Sequence, residues 1–126
     1  MLPFSYIALG LAIHLVFDWF LQPREMARCK STSWVCLLWH AGIVGCGAFI
    51  FFAIIAPTIT LLVSYLGVAY VLLHALQDRF IWRWYARRVR IKGIEDPIDD
   101  EGFFTTIGID QTLHLLVLFY FASLLI

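Results

Sequence analysis

The chain has 126 residues, of which 62% are hydrophobic and 14% charged, and its nine Lys and Arg balance its nine Asp and Glu. Soluble domains average roughly 45–50% apolar and about 25% charged residues. A soluble globule of this size could not hide so much apolar surface, and the length suits one compact unit rather than two. Residues 1–126 therefore read as a single integral membrane domain. The positive charges follow the first apolar segment instead of preceding it, the reverse of a cleaved signal peptide.

A transmembrane helix needs about 20 predominantly apolar residues. In chain order the qualifying segments are about 4–22, closed by Pro23; 34–55, followed by Pro57 in a short turn; 58–78; and 103–126. The third is expected to continue as an interfacial basic helix over about 79–92, through "RFIWRWYARRVR". Its arginines, interleaved with Trp82, Trp84 and Tyr85, suit an anionic headgroup layer and not nucleic acid. The stretch "EDPIDDEG" reads as a solvated loop from which Asp99 or Asp100 caps the fourth span. The segments lack the alternation of a barrel, so the fold class is all-α, an integral membrane four-helix bundle.

Every Lys and Arg falls in two places: Arg24, Arg28 and Lys30 between spans one and two, and Arg79, Arg83, Arg87, Arg88, Arg90 and Lys92 between spans three and four. In a four-span chain these connections share a side. The positive-inside rule makes that side cytoplasmic and puts both termini on the non-cytoplasmic side. Cys29, Cys36 and Cys46 show no CxxC spacing, so neither a disulfide framework nor a zinc ribbon is expected. Cys36 and Cys46 read as small apolar packing residues. Gly42, Gly45 and Gly47 offer a close-packing surface to a neighbouring helix, or to another protomer in a homo-oligomer.

The acidic residues of the spans are Asp18, Asp78 and Asp110, and all four histidines, His14, His40, His74 and His114, also lie in spans. Each aspartate has a histidine four residues away, in "HLVFD", "HALQD" and "DQTLH", so each pair shares one helix face. Spans one and three read His then Asp; span four, which runs the opposite way, reads Asp then His. All three pairs thereby place the aspartate nearer the cytoplasmic end, in one layer, with the histidines and His40 in a second layer one turn deeper. Ionisable residues inside a membrane are costly and point to function. Clustered carboxylates repel unless a cation sits among them. Imidazole plus carboxylate suits zinc, manganese or iron better than calcium. Seven potential ligands suffice for two divalent ions bridged by an aspartate, or for one ion with aspartates orienting the histidines. Gln22 at the mouth is a candidate substrate contact, Lys30 and Arg24 could face an anionic substrate, and Gln111 points towards a neighbouring helix.

At these residues the sequence resembles a family of small integral membrane proteins of bacteria and their phages, catalogued as domain of unknown function 3307. The family pattern has HxxxDFxLQ, a following lysine, a histidine in the second span, HxxxD in the third and a terminal DQxxH. This chain has "HLVFDWFLQ", Lys30, "LLWH" ending at His40, "HALQD" and "IDQTLH". It departs at Trp19, where the pattern has Phe, and after "HALQD", where "RFIWRW" replaces a lysine-containing segment. The resemblance implies one shared site and a bacterial inner membrane; it implies no particular chemistry.

The leading expectation is a metal-dependent hydrolase with zinc favoured, acting on a membrane lipid or lipid-linked substrate at the cytoplasmic leaflet. Asp78, Asp18 and Asp110 are its candidate catalytic carboxylates, with Asp78 the first choice of general base. A metal-ion or proton carrier, a di-iron redox enzyme and a membrane protein with a purely structural polar core are the alternatives. The carrier is disfavoured by the apolar outer halves of the spans, such as "FIFFAII", and by the lack of broken helices. The di-iron reading is disfavoured by the absence of Glu-x-x-His.

Overall fold

The computed structural model of the chain describes residues 2–58 and 60–126. Met1 lies outside them, as does Ile59 in the predicted third span. Every regular element among the described residues is helical. Helix α1 (Phe4–His14) runs into a π-helical turn (Leu15–Phe20). After it come α2 (Arg24–Cys29), α3 (Trp34–Ile55), α4 (Thr60–Ile91), a 3-10 turn (Pro97–Asp99) and α5 (Phe103–Ser123).

The boundaries have local causes. The first helical run ends before Pro23, whose ring disfavours helical geometry in the residue ahead of it. Ser33 caps α3, its hydroxyl accepting the Cys36 N–H at 3.4 Å. Pro57 follows the end of α3. Gly93, at φ +69°, ends α4 in a left-handed turn. There the Gly93 N–H bonds Arg90 O at 3.1 Å and the Ile94 N–H bonds Val89 O at 3.2 Å. The third span and the interfacial basic helix are one unbroken 32-residue helix.

Four local expectations are corrected. The first segment does not stay α-helical to residue 22; it widens into the π turn, and the short helix α2 follows. Gly102 stands at the start of α5 with no side-chain cap, because Asp100 is turned back towards Lys92. Cys29 and Cys36 form a disulfide, with Cα atoms 5.8 Å apart, across the turn between α2 and α3. Cys46 is free and exposed, not packed inside. A spacing of seven carries no metal or redox signature, so this bridge depends on a turn that the spacing did not reveal.

Helix α3 packs most extensively on α4 and also on α1, and α5 closes against α4 and α1. Gly47 admits the Phe17 ring, which a Cβ there would approach to 2.7 Å, and a Cβ at Gly45 would collide with Val71 of α4. Both glycines thus serve packing within the chain, while Gly42 faces open space. Phe51, Phe52, Leu66, Tyr70, Leu118 and Ala122 form the main apolar core, and Leu37, Ala41 and Ala75 form a smaller cluster nearer the basic end. Polar side chains occupy the interior between them. The outward faces are themselves apolar, with Leu61, Tyr65, Leu72, Phe80 and Leu116 exposed. Helices α3, α4 and α5 are long and apolar enough to cross a membrane, and Phe4–Phe20 is a shorter apolar helix.

Candidate metal centre

The four long helical runs all contribute to the interior polar cluster. His14 comes from α1, Asp18 from the π turn, His40 from α3, His74 and Asp78 from α4, and Asp110 and His114 from α5. All seven are buried, the most exposed being His14 at 4%. The structure brings together every candidate donor that the spacing singled out. Asp18, in the π turn, lies 3.4 Å from His14 Nε2, about as close as the i, i+4 pairs of the regular helices, His74–Asp78 at 3.6 Å and His114–Asp110 at 3.8 Å.

His40 Nε2 is the hub. It lies 3.0 Å from Asp18 Oδ1, 3.1 Å from Asp78 Oδ2 and 3.1 Å from His74 Nε2. His74 Nε2 in turn lies 3.8 Å and 3.6 Å from the same two oxygens. An imidazole Nε2 carries at most one hydrogen. Neither Asp18 Oδ1 nor Asp78 Oδ2 accepts a well-aligned hydrogen bond, although the Lys30 ammonium stands 3.1 Å from Asp78 Oδ2. Three atoms thus converge on His40 Nε2, whose single hydrogen can serve only one of them. Two ligands of one tetrahedral zinc stand about 3.3 Å apart, which falls within the observed separations.

The other oxygen of Asp18 faces the second histidine pair, 3.4 Å from His14 Nε2 and 3.9 Å from His114 Nδ1. Here hydrogen bonds satisfy Asp18 Oδ2 and His14 Nε2, while neither ring nitrogen of His114 has a partner. Gln111 donates its Nε2 to Asp18 Oδ2 at 2.7 Å, and its Oε1 lies 3.0 Å from His14 Nε2. Gln111 thus bonds a neighbouring helix as expected, and through that bond it joins the site. Three overlapping triads, His14–Asp18–His114, Asp18–His40–His74 and His74–Asp78–His114, each keep their donor atoms within 4.8 Å of one another.

Lys30, expected at the rim, is buried inside. Its ammonium lies 3.1 Å from both oxygens of Asp78 and 5.6 Å from the centre of the Trp82 ring. Trp82 Nε1 donates to Asp110 Oδ2 at 3.2 Å, which leaves Asp110 Oδ1 without a partner, 3.8 Å from His114 Nε2. Gln22 makes no hydrogen bond to the cluster, and its Nε2 is buried without a partner. The chain turns at Leu21 and carries it away from the His14–Asp18 line. Arg24 is exposed on α2. Tyr70 and Trp82 are site residues that the aspartate and histidine pattern did not reveal. The Tyr70 ring lies 5.9 Å from that of His74, and its hydroxyl is buried without a partner. The ladder Tyr70, His74, Asp78, Trp82, in steps of four along α4, is the signal that would have found both.

Beyond the cluster, the acidic loop is tied to the basic end of α4. Lys92 Nζ meets Asp100 Oδ1 at 2.7 Å and Arg88 Nε lies 3.5 Å from Asp100 Oδ2. The hydrogen bond from Lys92, with the charge of Arg88, holds the Asp100 carboxyl below its ordinary range against the effect of burial. Tyr85 donates to Pro97 O at 2.8 Å, and burial together with the Asp100 charge pushes its phenol up.

An all-helical chain with apolar outward faces and a buried His–Asp–Lys cluster defines a class: small helical proteins suited to a membrane, with a polar centre at their core. Within that class, the chain belongs to the family described as protein of unknown function (DUF3307), which matches residues 6–126. The matched span holds all seven donors, Lys30 and Gln111. No curated protein and no solved structure matches the chain.

Proposed function

We propose that the chain is a four-span membrane metalloprotein whose His–Asp centre binds a divalent ion, zinc by preference, and hydrolyses a lipid or lipid-linked substrate. The observation that carries this reading is the convergence of Asp18 Oδ1, Asp78 Oδ2 and His74 Nε2 on His40 Nε2, whose single hydrogen can join it to only one of them. Unshared lone pairs repel at such distances in a buried site; a cation turns the same geometry into an attraction.

The membrane reading has support in lengths. The 22 residues of α3 span about 33 Å, close to a hydrocarbon core of about 30 Å. The 32 residues of α4 span about 48 Å, so its basic C-terminal part extends beyond the core. With both basic connections on the cytoplasmic side, the termini fall outside and the aspartate side of the site is turned towards the inner leaflet of a bacterial plasma membrane.

The first ion is assigned to His40, His74, Asp18 and Asp78. A second, at His14, His114 and the far oxygen of Asp18, requires Gln111 to turn away from the hydrogen bonds it now makes. A bound ion supplies an acidified water and polarises a substrate oxygen. Asp110 replaces Asp78 as the proposed general base, because its Oδ1 is free while Asp78 is held by Lys30. Trp82 fixes the other Asp110 oxygen, and the Lys30 ammonium is placed to meet an anionic substrate oxygen.

The test is turnover by zinc-loaded protein in mild detergent on a panel of phospholipids, acyl lipids and polyprenyl phosphates, with products read by mass spectrometry. The reading expects zinc-dependent hydrolysis of at least one of them, reduced about 100-fold or more in Asp110→Asn. A zinc-loaded, folded wild type that hydrolyses none of them contradicts the enzymatic part of the proposal.

A further inference from the structure

Arg79 follows Asp78 on α4 and is only 9% exposed. Its guanidinium donates one N–H to Ser31 O at 2.8 Å and stacks 4.4 Å from the centre of the Trp34 ring. Its Nε is buried without a partner. Lys30, Arg88 and Lys92 all have carboxylate partners; among the described residues, Arg79 has none within ion-pairing distance. A guanidinium has five donors and cannot shed its charge in a protein. Burying it with no anion is costly, so the arrangement asks for one.

The surroundings indicate which anion. Ser31 and Trp34 flank the start of α3, a 22-residue helix whose first N–H groups lack helical partners and whose dipole favours negative charge there. One residue further, at Val35, an apolar groove of about 560 Å³ begins. It runs along the outer face of α3 past Leu38, Trp39 and Gly42 to Cys46. A Cβ at Gly42 would meet nothing, so glycine there leaves the groove open. Arg24, Arg28, Arg83 and Arg87 are exposed at the same basic end and attract anionic headgroups.

We propose that Arg79, Trp34 and the start of α3 bind the phosphate of a phospholipid whose acyl chain lies in the groove from Val35 to Cys46. Trp34, against Arg79, and Val35, at the edge of the groove, are consecutive in α3, so anion site and groove share one end of that helix, as the head and tail of one amphipathic molecule require. None of the seven His and Asp donors takes part, so the inference stands or falls separately from the metal reading.

The experiment is native mass spectrometry of delipidated full-length protein, titrated with dioleoyl phosphatidylglycerol, with dioleoylglycerol and with glycerol phosphate. Wild type is expected to bind phosphatidylglycerol. Arg79→Gln, which removes the guanidinium and its charge, is expected to bind it about tenfold more weakly or worse. Gly42→Phe, which fills the groove without entering the packed interior, is expected to weaken it as well. Dioleoylglycerol, with the same tails and no phosphate, should bind poorly to wild type and no worse to Arg79→Gln. Equal binding of phosphatidylglycerol by wild type, Arg79→Gln and Gly42→Phe overturns the proposal. So does dioleoylglycerol binding as tightly as phosphatidylglycerol, which would reduce the groove to general lipid contact. Glycerol phosphate binding as tightly as the lipid would also overturn it, by leaving a free-anion site with no role for the tail.

Discussion

Lys30 and Asp78, 48 residues apart in sequence, form a buried ion pair in which the ammonium stands 3.1 Å from each carboxylate oxygen. The lysine reaches the site from the turn after α2, so one side chain both closes the basic end of the cluster and offsets one of its negative charges. Breaking a buried pair from one side leaves an uncompensated charge and costs about 3–5 kcal/mol. Lys30→Met is therefore expected to lower the thermal unfolding temperature of metal-free protein in detergent. Added zinc should recover much of the loss, because an ion on Asp78 replaces the missing cation. In Lys30→Met/Asp78→Asn, which has no orphaned carboxylate, the metal-free loss should be smaller.

Gln111 stands where a second ion would bind, occupying both His14 Nε2 and Asp18 Oδ2. Gln111→Ala removes these hydrogen bonds and leaves the donors His14, Asp18 and His114 open. The expected result is a rise in bound zinc per chain over wild type, measured by elemental mass spectrometry after equilibration and desalting. An unchanged ratio would mean that this triad is too widely spaced to hold an ion unaided.

The Cys29–Cys36 bridge lies at the basic end of the molecule, beside Lys30. If that end faces a reducing cytoplasm, the pair persists in cells as two thiols and oxidises after lysis. Maleimide added to intact cells, in a permeant form, is then expected to label Cys29 and Cys36, whereas protein purified in air exposes Cys46 alone until it is reduced. Protection of both cysteines in cells would argue instead for an oxidising compartment and an inverted topology.

Asp100 links the acidic loop to α4 through Lys92 and Arg88. Its folded pKa is held below the unfolded value of 3.8. The group therefore contributes stability that is present above that pH and lost as pH falls through the lower, folded value. Amide hydrogen exchange in residues 94–102 should accelerate on acidification below this range, once corrected for intrinsic rates. Asp100→Asn should already show faster exchange at neutral pH and a weaker dependence on acid.

Much of the site was legible because helical spacing and direction are strict. Three i, i+4 pairs that reverse their order when the chain reverses direction can meet at one place, and His14, Asp18, His74, Asp78, Asp110 and His114 do so, joined by His40. Less legible was anything set by departures from ideal α-helix or by long side chains crossing between elements. The π turn at Leu15–Phe20 is such a departure. Lys30 and Gln111 reached further inward than their sequence neighbours suggested, and the turn before Pro23 carried Gln22 away. The Cys29–Cys36 bridge depends on how α2 folds back on α3, which a spacing of seven does not encode. Tyr70 and Trp82 were readable in principle, since both continue the ladder of His74 and Asp78, but aromatic residues on an apolar helix do not stand out from their background.

The central claim is that His40, His74, Asp18 and Asp78 hold a divalent ion, and it is tested most directly by metal content. Untagged protein, purified in mild detergent without chelators, would be measured by elemental mass spectrometry beside His40→Ala and Asp18→Asn, with folding of each checked by circular dichroism. The account predicts at least one equivalent of zinc, or of manganese or iron, in wild type and its loss in both variants. A folded wild type that takes up no metal even after replenishment, or variants that keep the wild-type ratio, would contradict it and leave the cluster as a proton-sharing polar core.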